Sequence, residues 1–166
     1  TRVEDFCQKV REPVLRRARQ LSADETKDLT QLESIWYEGE VRNHEHYNWT
    51  RYYALNLHSV FYKGTVEFRC FNSTLHAGRA AAYINLCLAM SAQAISQRNT
   101  VMRKTQSDNE LFTFRVWLVR LGLNGPEFKN TRDHLLANLS GDRAWRYDKD
   151  SYEVNKKKKK NRGTER

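Results

Sequence analysis

The chain has 166 residues, 39% of them hydrophobic and 11% aromatic, which is apolar material for one ordinary core rather than two. Its formal charge of +9 is unevenly spread: residues 151–166 carry seven Lys or Arg against Glu153 and Glu165 and so hold +5 of it, leaving a mildly basic body rather than a polycation built for nucleic acid. No run approaches the roughly 18–20 apolar residues of a membrane helix, and the start lacks the basic-then-apolar layout of a secretion signal, so the expected location is the cytoplasm.

In chain order, Val3, Phe6, Val10, Val14 and Leu21 recur at helical spacing, with Pro13 predicted to kink that helix or to start a new one. Ser22-Ala23-Asp24-Glu25 has the spacing of a capping box, and Leu29, Leu32, Ile35 and Trp36 then fall on one helical face. Residues 39–49 are polar and irregular and carry His44 and His46; these, like His76 further on, read first as surface or capping residues. Two strands are predicted over residues 52–61 and 65–71, joined by a hairpin turn at Tyr62-Lys63-Gly64. Residues 77–96 form a long, Ala-rich helix, apolar enough to be buried against a sheet. After a polar linker, residues 111–121 return to helical periodicity with Gly122 placed as the left-handed terminator, and Pro126 or Thr131 starts a last helix that Gly141 ends. Cys7, Cys70 and Cys87 are an odd count without CxxC spacing and read as buried thiols rather than a disulfide framework or a zinc site. The run Lys156–Lys160 has no apolar partner, so residues 150–166 are expected to be a disordered tail able to touch nucleic acid or another anionic surface weakly, beside a domain over residues 1–149.

The hairpin carries the chemistry. With Lys63-Gly64 as a two-residue turn, Val60 faces Glu67, His58 faces Arg69 and Asn56 faces Phe71, which gathers Asn56, His58, Glu67 and Arg69 on one side and Leu55, Leu57, Phe61, Val66, Phe68 and Cys70 on the other. A carboxylate two residues from a guanidinium on a strand face offers an oxygen ligand for a hard cation and a fork for phosphate or carboxylate. The same spacing also describes a solvent-facing ion pair, so spacing by itself does not settle the function.

The motifs Arg51-Tyr52-x-x-Leu55-Asn56-Leu57, Lys63-Gly64-Thr65-Val66-Glu67-Phe68-Arg69-x-Phe71-Asn72 and Leu75-His76-Ala77-Gly78, followed by Tyr83-Ile84-x-Leu86-Cys87-Leu88-Ala89, occur in an order that resembles the C-terminal core of the amidoligase family. The likeness continues through Phe114-Arg115-x-Trp117-Leu118 and Asp133-His134-Leu135-Leu136, so it spans roughly residues 29–147. That family is a branch of the carboxylate–amine ligases related to glutamine synthetase and glutamate–cysteine ligase. The resemblance implies an α+β fold, in which the antiparallel hairpin is part of a curved sheet packed by helices. It implies ATP and Mg²⁺ as cofactors, a carboxylate activated as an acyl phosphate, and attack by an amine to form an amide or peptide-like bond. By position, Glu67 matches a presumed metal ligand. Arg69 matches a partner of phosphate or substrate carboxylate, Arg51 a phosphate contact, and Asn56 a less defined part of the cofactor site. Further acidic ligands and strands of such a site are not found here, and with Thr1 as first residue an N-terminal half is expected to be missing and the fragment alone to be inactive. Two other readings stand beside this one: a nucleic-acid-binding accessory protein using the tail and the helical pair around Gly122, and a scaffold that keeps the fold without turnover.

Overall fold

The computed structural model describes residues 5–21, 29–39, 47–147 and 152; the expected capping box at 22–25, His44, His46 and Lys156–Lys160 lie outside them. Backbone contacts divide the chain into two compact units, Thr1–Ser73 with Thr100–Met102, and Thr74–Asn99 with Arg103–Arg166. The fold is mixed α and β, with one two-stranded antiparallel sheet among the described residues.

In the first unit Pro13 starts a helix rather than kinking one: α1 runs Glu12–Gln20 with the proline in its opening turn, where a missing N–H costs nothing. Glu12 in the first turn and Arg17 and Arg19 in the last suit the helix dipole. Before it, Gln8 bridges Tyr53 in parallel, its N–H donating to Tyr52 O at 2.8 Å while its carbonyl accepts from the Ala54 N–H at 2.7 Å. Helix α2, Thr30–Trp36, brings Trp36 inward. Val14, Trp36, Tyr37 and Tyr53 form the core, with Leu57 and Phe61 packed on it; Trp36 meets Tyr53 edge to face at 5.2 Å. Next, Asn48 accepts from the Thr50 N–H at 2.9 Å and so opens a 3-10 turn over Trp49–Tyr52.

The hairpin is where the structure departs from the sequence reading. Strands β1, Leu55–Asn56, and β2, Glu67–Phe68, do pair antiparallel, but in the register Leu55 with Phe68 and Asn56 with Glu67, and helix α3, His58–Lys63, stands between them. The expected register of Val60 with Glu67 and His58 with Arg69 is therefore corrected. The cause is local: Asn56 Oδ1 accepts from the Ser59 N–H at 3.3 Å, so the side chain offers the backbone a helical start in place of the ladder. Gly64 then ends α3 at φ 73°, its N–H donating to Val60 O at 2.9 Å. Lys63-Gly64 is a helix terminator, not a hairpin turn. Val66, expected in the covered face of a strand, precedes β2 and is exposed.

In the second unit α4, Ala77–Ser96, has the predicted bounds. His76 caps it, Nδ1 accepting from the Arg79 N–H at 3.3 Å, so this histidine takes the structural role expected of it. Helix α5 covers Glu110–Arg120 and α6 covers Lys129–Leu136, after a 3-10 turn at Pro126–Phe128. Helix α4 packs on α6, burying Ala82 and Leu86, and Asn85 Nδ2 donates to Thr131 Oγ1 at 2.9 Å. Gly78 permits the close approach, since a Cβ there would stand 2.5 Å from His134 Nε2. The helix is not buried all round, however: Ile84, Leu88 and Ile95 are exposed, so its apolar character does not measure its burial. Leu118, Leu123 and Leu136 are buried within this unit, and Gly122 has the positive φ expected after α5. Arg132 Nη1 donates to the carbonyls of Leu123 at 2.7 Å and Gly125 at 2.9 Å, which ties the α5–α6 connection together. Cys70 is exposed and Cys7 and Cys87 are half-buried, so the thiols are less enclosed than expected.

Candidate functional site

Four polar side chains converge where β1 and β2 meet the start of α3. Asn56 and Glu67 are direct partners across the ladder, which puts both side chains on one face whatever follows the strands. Asn56 Nδ2 donates to Glu67 Oε2 at 2.6 Å and to Ser59 Oγ at 2.9 Å; Ser59 Oγ donates to the same Oε2 at 3.2 Å. Arg69 Nη1 donates to Glu67 Oε1 at 2.9 Å, an i, i+2 pair that runs from β2 to the residue just after it. Asn56 and Ser59 are buried, while the Glu67 side chain is 44% exposed, so the network is fixed on its inner side and open on its outer one. Burial raises the Glu67 pKa, but the hydrogen bond from Asn56, the charge of Arg69 and the bonds from Ser59 and Arg69 outweigh it and hold the carboxyl below its ordinary range.

Tyr52 organises the cations. The Arg51 guanidinium carbon lies 5.7 Å from the Tyr52 ring centre and that of Arg69 lies 5.5 Å from it; Arg51 also stands 5.4 Å from Tyr47. A shared aromatic ring thus holds two guanidiniums near the Glu67 cluster by cation–π attraction. Arg51, Asn56, His58, Ser59, Lys63 and Glu67 line one small cavity of about 30 Å³, room for a water-sized group and not for a nucleotide. His58 reaches it from the first turn of α3, not from the sheet face on which it was expected. Its Nδ1 is 2.6 Å from the Tyr37 hydroxyl, and its ring is stacked on Tyr62. Burial, with the Glu33 charge behind it, pushes Tyr37 up to about 12, so the phenol keeps its proton through the physiological range.

The structure therefore brings together Asn56, Glu67 and Arg69, with Arg51 beside them. Sequence reasoning missed Ser59, Tyr52 and Tyr37. Ser59 was within reach, because Asn56-x-x-Ser59 has the spacing of a side-chain cap; Tyr37 lies 21 residues from His58 and leaves no local signal. Guanidiniums held this way fit the phosphates of a nucleotide. A hard cation is served less fully. Glu67 Oε2 already accepts two bonds and Oε1 one, so a single lone pair of Oε1 is left, and no three His, Cys, Asp or Glu side chains gather to hold a metal among the described residues. A cleft of about 790 Å³ in the second unit contains none of these groups; convergence of charged and hydrogen-bonded side chains marks the site better than volume does.

A family model described as "Putative amidoligase enzyme" matches residues 1–91. The match takes in α1, which the motif-based likeness left out, and stops within α4; Arg51, Asn56, Glu67 and Arg69 all fall inside it. No curated protein and no solved structure matches. No helix among the described residues is long and apolar enough to cross a membrane.

Proposed function

Because this chain belongs to the amidoligase family, we propose that it is part of an ATP-dependent carboxylate–amine ligase, and that the Asn56–Ser59–Glu67–Arg69 network is one wall of its phosphate and carboxylate site. The observation that carries this reading is the Glu67 carboxylate bonded on both oxygens, with Arg69 and Arg51 fixed beside it on Tyr52. Such a ligase must hold dispersed negative charge while a carboxylate is phosphorylated, and must then let an amine replace phosphate at the activated carbon. Arg69 Nη1 donates to Glu67, so the carboxylate aims the guanidinium, whose planar fork suits the oxygens of an anion. Arg51, Asn56 and Arg69 are the residues proposed to contact the nucleotide or the substrate carboxylate. ATP would supply the phosphoryl group that activates the carboxylate, and Mg²⁺ would hold its charge. Glu67 would give that ion one ligand through the open lone pair of Oε1.

The test is ADP release by the protein as the cell makes it, with carboxylate and amine mixtures. Arg69→Lys keeps the charge but loses the planar fork, so turnover should fall on the order of a hundredfold with the melting temperature little changed. Wild-type protein that consumes no ATP with any carboxylate and amine would leave the scaffold reading in place of the ligase.

A further inference from the structure

The second unit holds a cleft of about 790 Å³, which the ligase reading does not use. That is within the range of about 300–1,000 Å³ typical of ligand sites. Its floor is apolar: Phe114 and Trp117 from α5, their ring centres 5.4 Å apart, and Leu135 and Leu139 from α6 and the residues after it. All four are only partly buried, so each keeps apolar surface to give to a ligand. Helix geometry then fixes what stands at the two ends. Glu110 is the first residue of α5 and Arg120 the last; with Thr113 and Trp117 they recur at three- and four-residue steps and line the same cleft. Ten residues at roughly 1.5 Å each put the two charges about 15 Å apart along the helix. Neither has a hydrogen-bond or ion-pair partner among the described residues.

We propose that this cleft binds a short peptide with free ends, its ammonium at Glu110, its carboxylate at Arg120, and an aromatic or aliphatic side chain on the Phe114–Trp117 floor. The Glu110–Arg120 spacing on α5 selects this occupant, with Arg146 adding a second cation to the lining of the cleft. A free amino acid carries its two charges too close together to reach both ends, and a fatty acid offers nothing to Glu110. An extended chain advances about 3.3–3.6 Å per residue, so four or five residues match the spacing. The helix dipole also favours an acid at the start of α5 and a base at its end. It does not account for two partly exposed aromatic rings and two leucines in the same cleft. The proposal stands independently of the ligase reading, since it uses no residue of the Glu67 cluster.

Titrating the protein with the peptide Ala-Phe-Ala-Leu-Ala, and with its N-acetylated and C-amidated forms, tests it through the ¹⁵N-labelled indole N–H resonance of Trp117, assigned with Trp117→Phe. The free-ended peptide should move that resonance to saturation, and blocking either end should weaken binding about fivefold, the size of one exposed ion pair at the upper end of its range. Glu110→Gln should weaken only peptides with a free amine, and Arg120→Gln only those with a free carboxylate. No movement at high peptide, equal binding of free and blocked forms, or equal weakening of all forms by both substitutions would overturn the proposal. So would a Trp117 resonance that moves with protein concentration alone, which would make the occupant a second copy of the chain.

Discussion

In the first unit Asn56, Ser59, Glu67 and Arg69 bond one another beside a cavity of about 30 Å³, whereas the second unit holds a cleft of about 790 Å³ in which the side chains of Glu110 and Arg120, two of its three charged lining residues with Arg146, bond nothing among the described residues. The contrast separates two ways of presenting charge. Groups already bonded to each other are fixed before any ligand arrives, so little ordering is left to do, but part of their bonding capacity is spent. Unbonded charges around an open apolar floor keep their full capacity and must be ordered by what they bind. The first arrangement suits chemistry on a small charged group, the second suits recognition of a larger and softer one.

Several substitutions would break or sharpen that contrast. The largest effect is expected in the second unit's interior. Leu118 is 0% exposed, so Leu118→Asp should cost more than about 4 kcal/mol by burying an unpaired charge, read as loss of the folded baseline in urea. Leu86→Asp should behave alike, whereas Leu88→Asp, at a position 64% exposed on the same helix, should change stability by less than about 0.5 kcal/mol. Equal losses at 86 and 88 would show that the outer face of α4 is covered. Next comes Asn109→Ala. Asn109 Oδ1 caps α5 by accepting from the Phe112 N–H at 2.9 Å, and Nδ2 donates to the carbonyls of Asp142 and Trp145, so a loss of about 1–2 kcal/mol is expected by thermal melting. Gly64→Ala, in the first unit, should cost about 1 kcal/mol: open space surrounds the site, and the cost is the left-handed backbone alone.

The smallest effect is a pH dependence. Because the folded-state pKa of Glu67 is lowered, its network stabilises the fold fully above the ordinary carboxylate value of about 4.3, and that contribution is lost as pH falls through the lowered value. The stability difference between wild type and Glu67→Gln should therefore shrink on acidification below about pH 4.3 and stay constant above about pH 6. A difference that grows toward low pH would reverse the sign of the argument. The side chain is 44% exposed, so solvent keeps the effect modest.

Much of this was legible in the sequence, unevenly and for identifiable reasons. The bounds of α4, the helix start at Pro13 and the stop at Gly122 follow from local rules that tertiary packing did not override. Glu67, Arg69 and Asn56 were placed together correctly although the register was not. Their grouping needs only that the strands pair antiparallel with these residues on one face, while the intervening chain can be a turn or a helix. Residues 58–63 were misread because Val60, Phe61 and Tyr62 favour strands by composition, and the Asn56 side chain bonded to the Ser59 backbone outweighs that preference. The exposed face of α4 was misread because hydrophobicity reports what a helix could bury, not what it does bury. The Tyr37–His58 bond and the gathering of two arginines on Tyr52 depend on how distant segments meet, which no spacing rule encodes.

The central claim is that the Glu67 cluster exists for function rather than as a structural ion pair, and Glu67→Gln tests it most directly, because the substitution keeps size and removes charge. ADP release and thermal melting should be measured side by side on the variant and the wild type. The account predicts turnover lower by about a hundredfold, with stability reduced by less than about 1 kcal/mol. Unchanged turnover, or a loss of activity matched by loss of the folded state, would contradict it.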